Sequence, residues 1–463
     1  MSTLFGGGGD ASTGNPIQDR EDLFRIFRGG EKPPERFGLG IEYERLPVCR
    51  DTGLAVPYSA PSGAPSIEAF LEALTSRAGW RDEREAGHII ALERKGTRVT
   101  LEPGAQVELS GRVHQHLDEA RDEVLAFAKE ADEAAASTGI AFLGLGFHPV
   151  SDVPDIGWVP KSRYKIMAPY LATRGHLAHA MMKGTAGCQV NLDYGSEADA
   201  MEKLRVAMGI SSLVTALCAN SPLSRGQANG FASKRSHIWM RTDPDRSGLL
   251  QFALRDGAGY ADYVAYALAV PMMFVVRDGA WLNMTGRTFG AYLDGDRAGL
   301  TPTLADWELH LTTLFPEARL KAYVEVRGSD STPPDAILAQ AALWKGILYH
   351  EASRRRAWSM VADLSFEQRL AFARDVAREG LEARLGESSA LELAQELVTL
   401  AAQGLPKDEV PHLQALRHVA FERRESPSAT LLSRWSAEWQ RDPRRLVASL
   451  AEPLAAPGGV GTD

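Results

Sequence analysis

Between Phe37 and Arg45 the chain alternates strictly, with Phe37, Leu39, Ile41 and Tyr43 on one side and Gly38, Gly40, Glu42 and Glu44 on the other. A period of two predicts a strand with one buried face, so Glu42 and Glu44 share the opposite face. The pattern recurs at Val99 and Leu101 against Thr100 and Glu102, then past the Pro103-Gly104 turn at Val107 and Leu109 against Gln106 and Glu108. Three further segments alternate in the same way: Cys188, Val190 and Leu192 against Gln189, Asn191 and Asp193; Ser236 and Ile238 against Arg235, His237 and Trp239; Val324 and Val326 against Tyr323, Glu325 and Arg327. Each predicts a strand with a polar face.

Other segments carry the three-and-four rhythm of amphipathic helices. Leu117, Ala120, Val124, Phe127, Ala128 and Ala131 form one such stripe. A second helix is expected from Ser196, with Asp199 three residues on, through Ile210, Leu213, Val214 and Leu217; its late positions are nearly all apolar and predict burial. A third runs from the Ser389-x-x-Glu392 cap through Leu393, Leu397 and Leu400 to Gly404, with Pro406 beyond. The chain after about residue 336 reads as mostly helical. Together these elements predict an α+β fold, a substantially antiparallel sheet with helices on one face and a polar surface on the other.

A length of 463 residues supports a large core and leaves the domain count open. Gly6 to Gly9 and the following Ser, Thr, Asn and Pro predict a flexible lead over 1–19, and Pro457, Gly458 and Gly459 a flexible tail over 451–463. The 51 basic and 60 acidic residues leave a net charge of −9, with no basic stripe interleaved with aromatics, so no nucleic-acid partner is expected. The longest apolar stretch, Val264 to Val276, is broken by Pro271 and too short for a membrane-spanning helix; the N-terminus shows no signal pattern. Cys49, Cys188 and Cys218 have no paired spacing, which fits a reducing cytoplasm.

The repeated glutamates carry the candidate chemistry. Carboxylates two apart on a strand stand roughly 7 Å apart and repel by about 2 kcal/mol at an effective dielectric near 20. Glutamate is also a poor strand former. Periodicity by itself fits either a solvated sheet face or a site for a hard divalent cation such as magnesium with nucleotide phosphates. Other chemistries lack support. Gly144-x-Gly146 is not a dinucleotide fingerprint, no phosphate-loop or Gly-x-Ser-x-Gly motif exists, and His114-x-His116 and His176-x-x-His179 have no further ligand cluster.

Several stretches in order narrow the choice. Gly40-Ile-Glu42-Tyr-Glu44, Leu101-Glu102-Pro-Gly104-x-Gln106-x-Glu108-Leu-Ser110-Gly111 and Leu143-Gly-Leu-Gly-Phe147-x-Pro149 open the series. Pro160-Lys-x-Arg163-Tyr164-Lys165-Ile-Met167, Gln189-Val-Asn191-Leu-Asp193, Arg235-Ser-His237-Ile-Trp239, Thr242-Asp243-x-x-Arg246-x-Gly248 and Glu325-x-Arg327-Gly328 continue it. Over roughly residues 20–400 the chain resembles the plant-type glutamate–cysteine ligases.

The resemblance implies a glutamine-synthetase-like catalytic fold, a curved and mostly antiparallel sheet with helices outside. It also implies one catalytic domain over 20–450, helical from about 336. It further implies Mg2+ and ATP, with L-glutamate and L-cysteine as substrates, a γ-glutamyl phosphate intermediate and the first step of glutathione synthesis. Glu42, Glu44, Glu102, Glu108 and Glu325 match the family's metal carboxylates, with Gln189 as a further metal or phosphate contact. Arg235 is expected to hold a substrate carboxylate and Arg327 to bind phosphate or offset charge, as the two catalytic arginines. Asn191 and Arg246 are expected substrate or nucleotide contacts. Arg163, Tyr164 and Lys165 either touch substrate or nucleotide or pack at the rim, and His237 either binds or plays a structural role. Trp239 is expected in the core.

Gly184 and Ala186 stand where plant enzymes carry arginine and cysteine, and Tyr43 replaces a histidine, so the plant redox disulfide is not expected. Cys188 falls on the apolar face as a buried thiol. A ligase with another amine acceptor, or one serving another thiol pathway such as ergothioneine synthesis, and an inactive binding protein with the same fold remain alternatives.

Overall fold

Nine strands form the main sheet in a computed structural model that describes residues 14–451 apart from 78 and 296–298. They are β1 (Leu39–Cys49), β2 (Arg81–Glu85), β3 (His88–Arg94), β4 (Thr97–Leu101), β5 (Val107–Ser110), β6 (Ile140–Leu143), β7 (Gly187–Leu192), β8 (Ala318–Leu320) and β9 (Val324–Asp330). The order in space is β8-β9-β7-β1-β5-β4-β3-β2, and every pairing is antiparallel. Strand β1 is long enough to serve two partners. Its first half lies between β7 and β5, and Leu46 to Cys49 pair with β6.

The register sorts side chains as the alternation requires. Tyr43 lies opposite Cys188 and Leu109, and Ile41 opposite Val190, so these residues share the apolar face. Helices cover that face. The helices used below are α1 (Leu117–Ser137), α2 (Tyr164–Ala172), α3 (Glu197–Cys218), α4 (Lys234–Trp239), α5 (Pro334–Leu348), α6 (Ala390–Gly404), α7 (Pro427–Ala437) and α8 (Pro443–Leu450). α3 packs on β9, and α5 on β7 and β1, within one large core. All six residues of the predicted α1 stripe are buried. Ser196 caps α3 through the Asp199 amide, and Ser389 with Glu392 forms a reciprocal capping box on α6. α7 and α8 close a second apolar cluster, with Leu431, Trp435, Trp439 and Leu446 against Leu46, Val48 and Leu143.

Residues 234–239 correct one expectation, because they form a helix and not a strand. Ser233 caps it by accepting from the Ser236 amide. Six residues are too few to separate a period of 2 from one of 3.6. The consequence is a changed grouping of side chains: Arg235 and Trp239, four apart, still share a side, with the guanidinium 5.6 Å from the indole ring, while His237 turns away from them to Phe231. The lead also differs in part. Asn15 and Ile17 pair with Leu304 and Pro302 through backbone hydrogen bonds of 3.0 Å, so residues 15–17 are tied down. Residues 1–13 and the tail beyond 451 lie outside the described residues. Among the described residues no helix is long and apolar enough to cross a membrane.

Candidate active site

On the polar face the strands place their residues in rows. Gly40, Asn191, Glu325 and Arg319 form one row; Gln189, Glu42, Ser110 and Arg98 the next; Glu44, Glu108 and Thr100 a third. This face is largely buried, with Glu42, Glu108, Gln189 and Asn191 each less than a tenth exposed. It lines a cavity of about 570 Å³, whose other walls come from α2 and from Trp239, Phe274, Trp281 and Phe315.

Glu42, Glu44, Glu102, Glu108, Gln189, Asn191, Arg163, Tyr164 and Arg327 all line the cavity. Glu102 reaches it from the tight β4–β5 turn, where its amide donates to Gln106 O at 2.9 Å. Gln106 braces that turn, accepting from the Gly104 amide and donating to Thr185 O.

Five expected contacts stand elsewhere. Lys165 is exposed outside the cavity lining. Arg246 is fully buried and spent on Asp243, Thr313 O and Pro271 O. His237 stacks on Phe231 at 4.0 Å and meets Arg241. Arg235 lies behind the wall and donates to Arg327 O at 3.0 Å, so it holds the strand that carries Arg327. Glu325 is 0 % exposed, enclosed by Arg319, Lys321 and Arg327. Against the expectation of a core position, Trp239 lines the cavity, and its indole Nε1 has no hydrogen-bond partner.

The wall also holds Lys161, Arg319 and Lys321, which sequence reasoning did not single out. A signal existed for Arg319. The alternation at Val324 and Val326 extends back through Leu320 and Ala318, and folding it as a hairpin puts Arg319 opposite Glu325. Lys161 sits in the Pro160-to-Met167 stretch, but its burial depends on Leu101 O, to which Nζ donates at 2.9 Å.

The electrostatics divide the cavity. Burial, then the charges of Glu102 and Glu108, push the Glu44 carboxyl up to about 8. Burial, then Glu42 and Glu102, raise Glu108 to about 7, despite hydrogen bonds from Ser110 Oγ at 2.6 Å and Thr100 Oγ1 at 2.9 Å. Burial, with Arg163 nearby, lowers the Lys161 ammonium to about 7. At Glu325 burial alone would raise the carboxyl, but Arg319, Lys321 and Arg327 overcome it and hold the group far below the usual range.

A carboxylate cluster that repels itself fits a hard divalent cation, whose ligands are oxygens. Glu42, Glu44, Glu102 and Glu108 supply such a donor set. No three His, Cys, Asp or Glu side chains among the described residues already converge on one point. Glu325 would join only by releasing one of its basic partners.

A family model described as glutamate–cysteine ligase family 2 (GCS2) matches residues 38–448. The chain belongs to glutamate–cysteine ligase family 2. Among its relatives, the chloroplastic glutamate–cysteine ligase of Medicago truncatula is 37 % identical over 437 residues, covering 93 % of this chain and 85 % of that one. The Brassica juncea enzyme of the same name is 38 % identical over 426 residues, covering 91 % and 82 %. The solved glutamate–cysteine ligase of Francisella tularensis in complex with AMP shares the fold of this family member, with a TM-score of 0.53 at 15 % identity over 89 % of this chain and 88 % of that one.

Proposed function

We propose that this chain joins the γ-carboxylate of L-glutamate to the amine of L-cysteine, driven by ATP and Mg2+, as the first step of glutathione synthesis. The observation that carries the reading is the convergence of Glu42 and Glu44 from β1, Glu102 from the β4–β5 turn and Glu108 from β5 on one cavity, in a family member matched over residues 38–448. ATP transfers its γ-phosphoryl group to the glutamate carboxylate, giving ADP and γ-glutamyl phosphate. The cysteine amine then attacks the acyl carbon, phosphate leaves, and the nitrogen loses a proton.

Such chemistry needs positioning and charge neutralisation more than a protein nucleophile. Mg2+ held by the four glutamates would neutralise the nucleotide phosphates. Arg327, paired with Gln189 on the cavity wall, would bind phosphate or offset the developing charge. Arg235 acts through Arg327, keeping its backbone in place. Lys161 and Arg163 stand beside the glutamates as further cations.

The substrates are small molecules, and neither a nucleic acid nor a membrane takes part in this reading. The free thiols of Cys49, Cys188 and Cys218 support work in a reducing cytoplasm. Phosphate release that requires glutamate, cysteine, ATP and Mg2+ together, with γ-glutamylcysteine identified by mass, is the expected result. Release that ignores cysteine and follows another amine overturns the acceptor.

A further inference from the structure

Asp330 ends β9, fully buried and outside the cavity lining. Its carboxylate accepts from the Asn220 amide at 2.8 Å, from Ser221 Oγ at 2.6 Å and from Ser233 Oγ at 2.7 Å, donors 97 to 110 residues away in the chain. Room for it is built in. A Cβ at Gly146 would lie 2.3 Å from Asp330 Cγ, so the second glycine of Gly144-x-Gly146 lets this carboxylate pack against the chain that follows β6.

The two serines pass this contact on. Each hydroxyl has one proton, and it goes to the carboxylate, which only accepts. Each oxygen is then free to accept in turn: Ser221 Oγ from the Arg235 amide at 3.2 Å, Ser233 Oγ from the Ser236 amide at 3.0 Å. Both amides belong to the first turn of α4, so Asp330 fixes where that helix starts. α4 carries Arg235, whose Nη2 donates to Arg327 O at 3.0 Å. Space for the guanidinium comes from Gly187, directly opposite Asp330 across β7 and β9, where a Cβ would lie 2.5 Å from Nη2. The register of β9 on β7 shifts between Val326 and Ser329, which places Arg327 in a bulge. A bulge re-aims the side chain it carries, and this one carries Arg327 into the cavity wall.

We propose that Asp330 is a positioning residue: acting through Ser221, Ser233 and the first turn of α4, it holds Arg235 against the bulge of β9 and so sets the aim of Arg327 in the cavity. The consequence for catalysis rests on the ligase reading. A group displaced by about 1 Å from its working position costs on the order of 100-fold in rate, even when the change lies far from the chemistry. Loss of aim at a group that stabilises the transition state shows in kcat, whereas loss of uniform substrate binding shows in KM. A purely structural role would lower stability and leave the turnover of the folded enzyme unchanged.

Asp330→Asn keeps the size of the side chain and turns an N–H toward groups that themselves donate. Assayed well below its unfolding midpoint, it is expected to lower kcat about 100-fold, with the KM for ATP and for glutamate within about threefold of wild type. Ser221→Ala and Ser233→Ala leave the carboxylate in place and are each expected to lower kcat about tenfold, so they carry the test if Asp330→Asn does not fold. In an Arg327→Lys background, where the aim of the guanidinium is already lost, Ser233→Ala is expected to change kcat less than about twofold. An unchanged kcat in both serine variants, a loss that appears in KM instead, or the full tenfold loss in the Arg327→Lys background overturns the proposal. Crystal structures of ligand-free wild type and Ser233→Ala read the same contact without catalysis. A displaced α4, with Arg235 Nη2 no longer within hydrogen-bond distance of Arg327 O, supports the positioning even if wild type ligates nothing, which would overturn the ligase reading alone. Arg235 and Arg327 unmoved in Ser233→Ala overturns the proposal.

Discussion

Glu44 and Glu325 occupy the same face of one sheet and are opposites in charge economy. Glu44 faces Glu102 and Glu108, and burial with those charges pushes it up to about 8. Glu325 has Arg319 Nη2 at 2.7 Å and Nε at 3.1 Å, with Lys321 and Arg327 beside it, and stays ionised. At one end of the cavity the carboxylates outweigh the nearby Lys161 and Arg163, and at the other three basic side chains enclose a single carboxylate. The difference marks the carboxylate-rich end as the one that fits a cation, and it gives the enclosed glutamate the task of holding Arg319 and Arg327 beside it.

The comparison breaks most directly at Glu42. Replacing it with glutamine is expected to lower kcat by ~10³-fold, the order seen when one electrostatic contact to a transition state is removed, while urea unfolding stays near that of wild type. An active Glu42→Gln variant would remove this residue from the metal end. At the other end, Arg319→Met leaves a buried carboxylate short of its two-pronged partner and is expected to cost about 3 kcal/mol of stability, read by urea unfolding. An unchanged unfolding midpoint would mean that Lys321 and Arg327 suffice.

Smaller effects sharpen the contrast. Thr100→Val removes a donor from Glu108 and is expected to raise the Mg2+ needed for half-maximal activity about tenfold, with no change in the KM for cysteine. The gentlest test is pH. Glu44 and Glu108 keep protons in the folded chain where the unfolded chain, with carboxyls near the ordinary 4.5, has released them. The folded state therefore binds more protons, and its stability falls as pH rises from about 4.5 through 7 to 8. In EDTA, the stability of wild type relative to Glu44→Gln/Glu108→Gln should decline over that range, and Mg2+ should reverse the trend. A difference independent of pH would show that the two carboxyls titrate normally.

Much of this was legible in the chain. Strict alternation identified β1, β4, β5, β7 and β9 and put Glu42, Glu44, Gln189, Asn191 and Glu108 on one face, because side-chain direction in a strand follows from backbone geometry alone. The caps of α3 and α6 were legible for a similar reason, since Ser196 and Ser389 act on amides three residues away. Residues 234–239 were misread because a short run satisfies both periods, and with them the surroundings of Arg235, His237 and Trp239. The enclosure of Arg246 by Thr313 and Pro271, and the burial of Lys161 at Leu101 O, join segments dozens of residues apart.

The sequence by itself determined which residues share a sheet face and, through an ordered set of motifs, the ligase family to which the chain belongs. Only the tertiary structure decided which glutamates face one another and which face arginine. Face membership is a property of local backbone geometry, whereas carboxyl charge and cavity clearance depend on through-space distance and burial, which the fold alone creates.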